Sequence, residues 1–183
     1  MNLHKLDLNE IRGFGKNKPL LKLAFLSGAL GISGVPLFSG YISKTLLHES
    51  IVEYAGIAEN GSQILGASDI RLVEWLFLIS GGLTIAYMLK LYVAVFVEEN
   101  MDRQRQKVYD DQKDSYMNKI SKAVLGICAV LFPVMGILPD HFMTWMADLG
   151  QTFMGTEETA EQIHWFSMTN LSGSLISILL GIA

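Results

Sequence analysis

Charged side chains are missing from four stretches of the chain: 23–43, 75–89, 123–139 and 162–183 hold no Asp, Glu, Lys or Arg. A membrane-spanning helix needs about 20 mostly apolar residues in a row. The four stretches, extended to the nearest polar clusters, predict membrane-embedded helices over 20–57, 73–97, 121–139 and 164–183. A soluble fold buries one such helix inside itself. In a chain of 183 residues too little is left over to cover four. The expected fold class is therefore all-α: a polytopic membrane protein with about four transmembrane helices, the first of them discontinuous.

The polar segments fall between these runs. Residues 1–19 form a basic connector with Leu3, Leu6, Leu8 and Ile11 interspersed, and no apolar core or cleavage site of a signal peptide follows its basic residues. Residues 58–72 include AENGSQILGASD, a turn region rich in Gly, Ser and Asn. Residues 98–119 read as a mixed-charge cytoplasmic loop, and 155–162 as an acidic exposed one. Between 140 and 154, Phe142, Trp145, Met146, Leu149 and Phe153 recur at helical spacing. They suggest an interfacial helix on the outer membrane surface; an ordinary outer loop is the alternative.

The first region is too long for one straight crossing. Its 38 residues would extend roughly 57 Å as continuous helix against a hydrocarbon core of about 30 Å. It also contains Gly34, Pro36 and Gly40. Pro36 has no backbone N–H, and the residue before a proline is driven out of helical geometry. The helix breaks there, either in a turn outside the membrane between two spans or within one interrupted span. The distribution of positive charge decides. With two spans, Lys5, Arg12, Lys16, Lys18 and Lys22, together with Arg71, lie opposite six basic residues between Arg103 and Lys122, and no orientation results. With one interrupted span, eleven positive charges share one face and only Arg71 lies opposite. The expectation is one broken span, a multi-pass protein of the cell membrane, and a cytoplasmic N-terminal connector. Trp75, Trp145 and Trp165 then gather at the opposite interface, where Trp is favoured.

Composition narrows the function. Half of the residues are hydrophobic, 17% are charged, the net charge is −4 and Cys128 is the one cysteine. A nucleic-acid binder would be basic, and a disulfide-stapled domain needs paired cysteines. No cysteine cluster, paired haem histidines, nucleophile triad or metal-ligand spacing is present, so no cofactor or metal is expected and any redox centre belongs to a partner. The spacing of Gly28, Gly31 and Gly34 follows no strand, which speaks against a phosphate loop and for close helix packing. Pro133 is expected to kink the third span.

Lys44 follows the break directly and, with one interrupted span, lies near mid-membrane. An ammonium there costs about 2.5 kcal/mol or more, and burial eases loss of its proton. These are the requirements of a proton relay; snorkelling to headgroups is the bland alternative. His48 stands one turn on, on the same face, where it could exchange a proton with Lys44 or simply be a packed histidine. Glu49 and Glu53 follow near the outer end, as an exit path or a solvated helix end. Lys90 sits about two turns from the basic face, in reach of headgroups, with a relay role second.

The run LNEIRGFGKNKPLLKLAFLSGALGISGVPLFSGYISK resembles the antiporter-like membrane subunits of respiratory complex I, of multisubunit sodium/proton antiporters and of membrane-bound hydrogenases. That family's pattern is a short basic connector, Pro, an apolar half-helix, Gly-x-Pro, then Ser/Ala-Gly-Phe/Tyr-x-Ser-Lys. The resemblance implies that Lys44 belongs to a discontinuous helix and to a hydrophilic axis of proton transfer. The run AYMLKLYVAVF resembles the family's next span, with Lys90 at a basic position. Family members often carry acidic residues directly after the lysine, whereas here Thr45 follows and His48 and Glu49 come later. Family subunits also have many more spans, so the chain is expected to be a C-terminal fragment or split-gene product that does not pump alone. The implied function is part of a proton- or cation-translocating subunit of a complex I-like (NADH:quinone oxidoreductase) or hydrogenase-like assembly. Its partners would be other membrane subunits, the bilayer, and protons or sodium. The alternatives are a sodium/proton antiporter fragment and a non-catalytic membrane scaffold.

Overall fold

A computed structural model describes residues 7–60, 66–112, 116–155 and 164–183, all of whose regular structure is helical. Lys5, Lys113 and most of the acidic stretch 155–162 lie outside the described residues. A single turn, α1 (Leu8–Ile11), is capped by the Asp7 carboxylate. Pro19 then opens α2 (Pro19–Ser33); its fixed φ suits a first helical position, where an N–H would have no partner. Helix α3 runs Ser39–Asn60, and α4 Ala67–Tyr92, continued by a π-turn over Val93–Val97. Helix α5 (Arg103–Asp111), α6 (Lys119–Ile137), a π-turn at Asp140–Thr144 with α7 (Trp145–Met154), and α8 (Met168–Ile182) complete the chain.

Two helices, Ser68–Val97 and Lys119–Ile137, are long and apolar enough to cross a membrane; Pro19–Ser33 and Met168–Ile182 are shorter apolar helices. Pro133 is accommodated inside α6, which continues to Ile137.

The break between α2 and α3 has a specific construction. Gly34 adopts a left-handed conformation (φ 74°). Its N–H bonds Gly31 O at 2.9 Å while the N–H of Val35 reaches back to Leu30 O at 3.1 Å. This is a Schellman ending, which glycine enters at no steric cost. Leu37 is also left-handed (φ 73°), a conformation unfavourable for a residue with a Cβ. Helix α3 then starts alongside the last turn of α2. A Cβ at Gly40 would overlap the Gly31 carbonyl, so only glycine permits this approach.

The two segments together traverse α4 from end to end. At the start of α2, Gly13 and Gly15 N–H groups bond Ala94 O and Val95 O, each at 2.9 Å, and Phe25 meets Phe96 with ring centroids 5.1 Å apart. At the far end of α3, Ala55 and Ala58 form a small core with Ile70 of α4. Arg71 pairs there with Glu59 at 2.7 Å. Helix α6 flanks α2, where Ser27 Oγ donates to Ala129 O at 2.8 Å. Helix α8 runs beside α4, where Ser177 Oγ donates to Leu78 O at 3.0 Å.

The region expected as a loop at 98–119 instead contains α5. The Asp102 carboxylate accepts from the N–H groups of Gln104 and Arg105 and starts the helix. Packing holds it: Asn100 Nδ2 donates to the carbonyls of Asn9, Glu10 and Arg12, and Tyr109 stacks edge-on against Phe14. At 140–154 the chain is helical and leaves Phe142, Trp145, Met146, Leu149 and Phe153 exposed.

Candidate functional site

The interrupted helix leaves carbonyl groups without helical partners, and these build the site. Ser33 O, at the carboxyl end of α2, accepts from Lys44 Nζ at 3.0 Å. Gly34 O accepts from Ser174 Oγ of α8 at 2.9 Å. The end of a helix carries partial negative charge from such carbonyls, so an ammonium there is electrostatically supported. Lys44 lies along Gly34 and near Gly81, where a Cβ would come within 3.8 Å of Nζ.

Lys44 faces a cavity of about 30 Å³ that is shared by α2, α3, α4 and α8, enough for one or two waters. Tyr41, Thr45 and His48 enter it from the face of α3 that carries Lys44, and Asn170, Ser174 and Ser177 from α8. Asn170 is 3% exposed. Its Nδ2 donates to Glu49 Oε1 at 2.7 Å and His164 O at 3.2 Å, while its buried Oδ1 has no hydrogen-bond partner among the described residues. A buried amide oxygen in that condition costs about 1–3 kcal/mol unless water meets it. On the other side of Lys44 a wider cleft of about 460 Å³ opens between α2, α3 and Phe132 of α6.

His48 is buried. Its Nε2 lies 3.1 Å from Glu74 Oε1 on α4, and its ring stacks near Phe77. Gly173 makes room for it, since a Cβ there would sit 3.0 Å from the imidazole Cε1. Tyr41 Oη donates to Trp165 O at 2.7 Å, and Trp165 Nε1 to Asp140 at 2.9 Å, which ties α3 to the approaches of α6 and α8.

Of the residues singled out in the sequence, Lys44 and His48 share this cavity, and Glu49 borders it through Asn170. Lys90 does not: it is exposed on α4, nine residues beyond Gly81, or about 13 Å along the helix. Of the break residues, Gly34 and Pro36 lie in the interruption and Gly40 in the first turn of α3. Glu74, Asn170, Ser174 and Ser177 escaped the sequence reading. They come from segments more than 25 residues away, and only Glu74, a charge one residue before an apolar run, carried any signal. Among the described residues no group of His, Cys, Asp and Glu is arranged to hold a metal ion.

Comparison with known proteins gives weakly similar relatives, named as subunits of two enzymes. The chain is 24% identical over 134 residues to NADH-quinone oxidoreductase subunit N of Mycobacterium tuberculosis, covering 73% of this chain and 21% of the relative. It is 21% identical over 125 residues to formate hydrogenlyase subunit 3 of Escherichia coli, covering 68% and 19%. The subunit N of Flavobacterium psychrophilum is 25% identical over 93 residues, covering 51% and 17%. These weak similarities to NADH-quinone oxidoreductase subunit N and formate hydrogenlyase subunit 3 support a likeness to the antiporter-like complex I family over part of the chain. It spans about a fifth of the length of the curated relatives it matches. No family model and no solved structure matches it. The relatives are named as subunits of larger enzymes, and two helices of this chain are long and apolar enough to cross a membrane.

Proposed function

We propose that this chain supplies part of the ion path of a proton- or cation-translocating membrane subunit in a complex I-like or hydrogenase-like assembly. On this reading the chain crosses the membrane four times, as α2 with α3, α4, α6 and α8, with residues 7–18 and α5 on the cytoplasmic side and α7 at the opposite interface. Lys44 accepts and donates the proton at mid-membrane, and His48 continues the path one helical turn on. Glu49 borders the cavity, and Lys90 serves from the cytoplasmic half of α4. Interrupted helices at membrane depth are tolerated where they line a hydrated cavity, and they recur at ion sites of transporters.

One observation carries the proposal: the Lys44 ammonium sits at the interrupted end of α2 and faces a cavity with room for water. Driving energy would come from redox chemistry in partner subunits or from an opposing ion gradient.

A second reading rests on the same hydrogen bond. Lys44 could act only as a cap for the Ser33 carbonyl, in a scaffold role. Lys44→Ala in the assembled complex separates the two. Assembly at normal levels with ion translocation reduced at least tenfold supports the relay. Normal assembly with undiminished translocation supports the cap.

A further inference from the structure

We infer that the Lys44 cavity discharges toward the start of α4 through the His48–Glu74 pair, with Glu74 as the terminal proton acceptor. This rests on Lys44 being a relay and assigns its outlet. Among the described residues, two side chains that line the cavity meet a carboxylate directly. One route runs through His48, whose Nε2 is 3.1 Å from Glu74 Oε1. The other runs through Asn170, whose amide holds Glu49 Oε1 at 2.7 Å.

The routes differ chemically. Imidazole can take a proton at one ring nitrogen and release the proton on the other. A carboxamide has no titrating group near neutral pH: its N–H groups donate and its oxygen accepts, without handing a proton on. Asn170 therefore fixes Glu49 in place and offers water in the cavity its Oδ1, which has no partner among the described residues, while His48 carries the proton.

Exposure points the same way. The His48 side chain is 8% exposed and the Glu74 side chain 25%, so the pair grades from the buried cavity to a carboxylate that reaches the surface. Gly173 on α8 supplies the space the imidazole occupies.

The step balances. The Lys44 ammonium loses a proton, through cavity water, to the Nδ1 side of the His48 ring. The Nε2 proton passes to the Glu74 carboxylate, which becomes a carboxylic acid. That acid releases the proton to bulk water, and the imidazole returns to its starting tautomer before the next cycle. No other reactant is required.

The test uses the assembled complex in energised proteoliposomes with a pH-sensitive dye inside, comparing Lys44→Ala, Glu74→Gln, Glu74→Asp and Glu49→Gln at equal amounts of intact complex. Glu74→Gln keeps the shape and a hydrogen bond to His48 but cannot accept a proton. It should slow translocation at least tenfold, and Glu74→Asp, which restores the carboxylate, should recover most of the rate; a purely structural role would not separate these two variants. Loss in Lys44→Ala with wild-type rates in Glu74→Gln would overturn the outlet alone. So would a loss in Glu49→Gln that exceeds that in Glu74→Gln, because it would put the outlet on the Asn170 side. Wild-type rates in Lys44→Ala would instead remove the relay on which the outlet rests.

Discussion

Two lysine ammonium groups stand at opposite ends of α2, Lys18 buried and Lys44 half-buried, and the contrast between them defines the site. Lys18 has no exposed surface. Its Nζ donates to Phe14 O at 2.7 Å and to Tyr109 O at 3.0 Å, and it lies 4.1 Å from the centre of the Phe14 ring. Those partners belong to the connector and α5. Lys44 donates, among the described residues, to the Ser33 carbonyl alone and turns its remaining donor capacity to a cavity. An ammonium has three donors. One wrapped by fixed carbonyls and an aromatic face is a structural pin, while one with donors left for water can exchange its proton.

The largest effect that could break this contrast concerns topology. If α2 and α3 make one crossing, cysteines at Lys16 and Glu59, each placed in a Cys128→Ser background, will be labelled by an impermeant thiol reagent from opposite sides of the membrane. Labelling from the same side would mean two full crossings and would place Lys44 near a surface.

Next comes the division of labour between the lysines. Lys18→Met leaves Phe14 O and Tyr109 O without their donor, a cost of about 1–3 kcal/mol, read as a lower unfolding temperature in detergent. Transport per intact complex should stay at the wild-type rate. A transport loss as large as that of Lys44→Ala would erase the distinction.

A smaller effect appears with pH. Burial draws the Lys18 amine below its ordinary 10.5, with the Asp110 carboxylate pulling the other way. The unfolded chain then keeps its proton to higher pH than the folded one. Stability from this group therefore rises with pH in the window just below 10.5 and levels off above it. Lys18→Met should flatten that rise in unfolding measured from neutral to alkaline pH. The smallest effect belongs to the exposed Arg71–Glu59 pair at 2.7 Å: solvent screens such a pair, so Arg71→Gln should leave the unfolding temperature in detergent at the wild-type value.

How much of this could be read from residues alone follows from the range of the interactions. The break at Gly34 and Pro36 and the position of Lys44 after it were legible, because backbone chemistry at glycine and proline acts locally. The one-turn spacing of Lys44 and His48 was legible for the same reason. Glu74, Asn170 and Ser174 were not, since nothing local says that α4 and α8 close over α3 at that level. Helix α5 was hidden too. Its sequence RQRQKVYDD has almost no apolar stripe, and it is held by the buried Gln106 and Tyr109 meeting the connector some 90 residues earlier.

The most direct measurement replaces Lys44 with cysteine in the Cys128→Ser background and then restores an amine chemically with bromoethylamine. Translocation by the assembled complex should fall at least tenfold in Lys44→Cys and return in large part after aminoethylation, because the lost element is a titratable nitrogen at that site. Undiminished translocation before the amine is restored would contradict a proton path through Lys44.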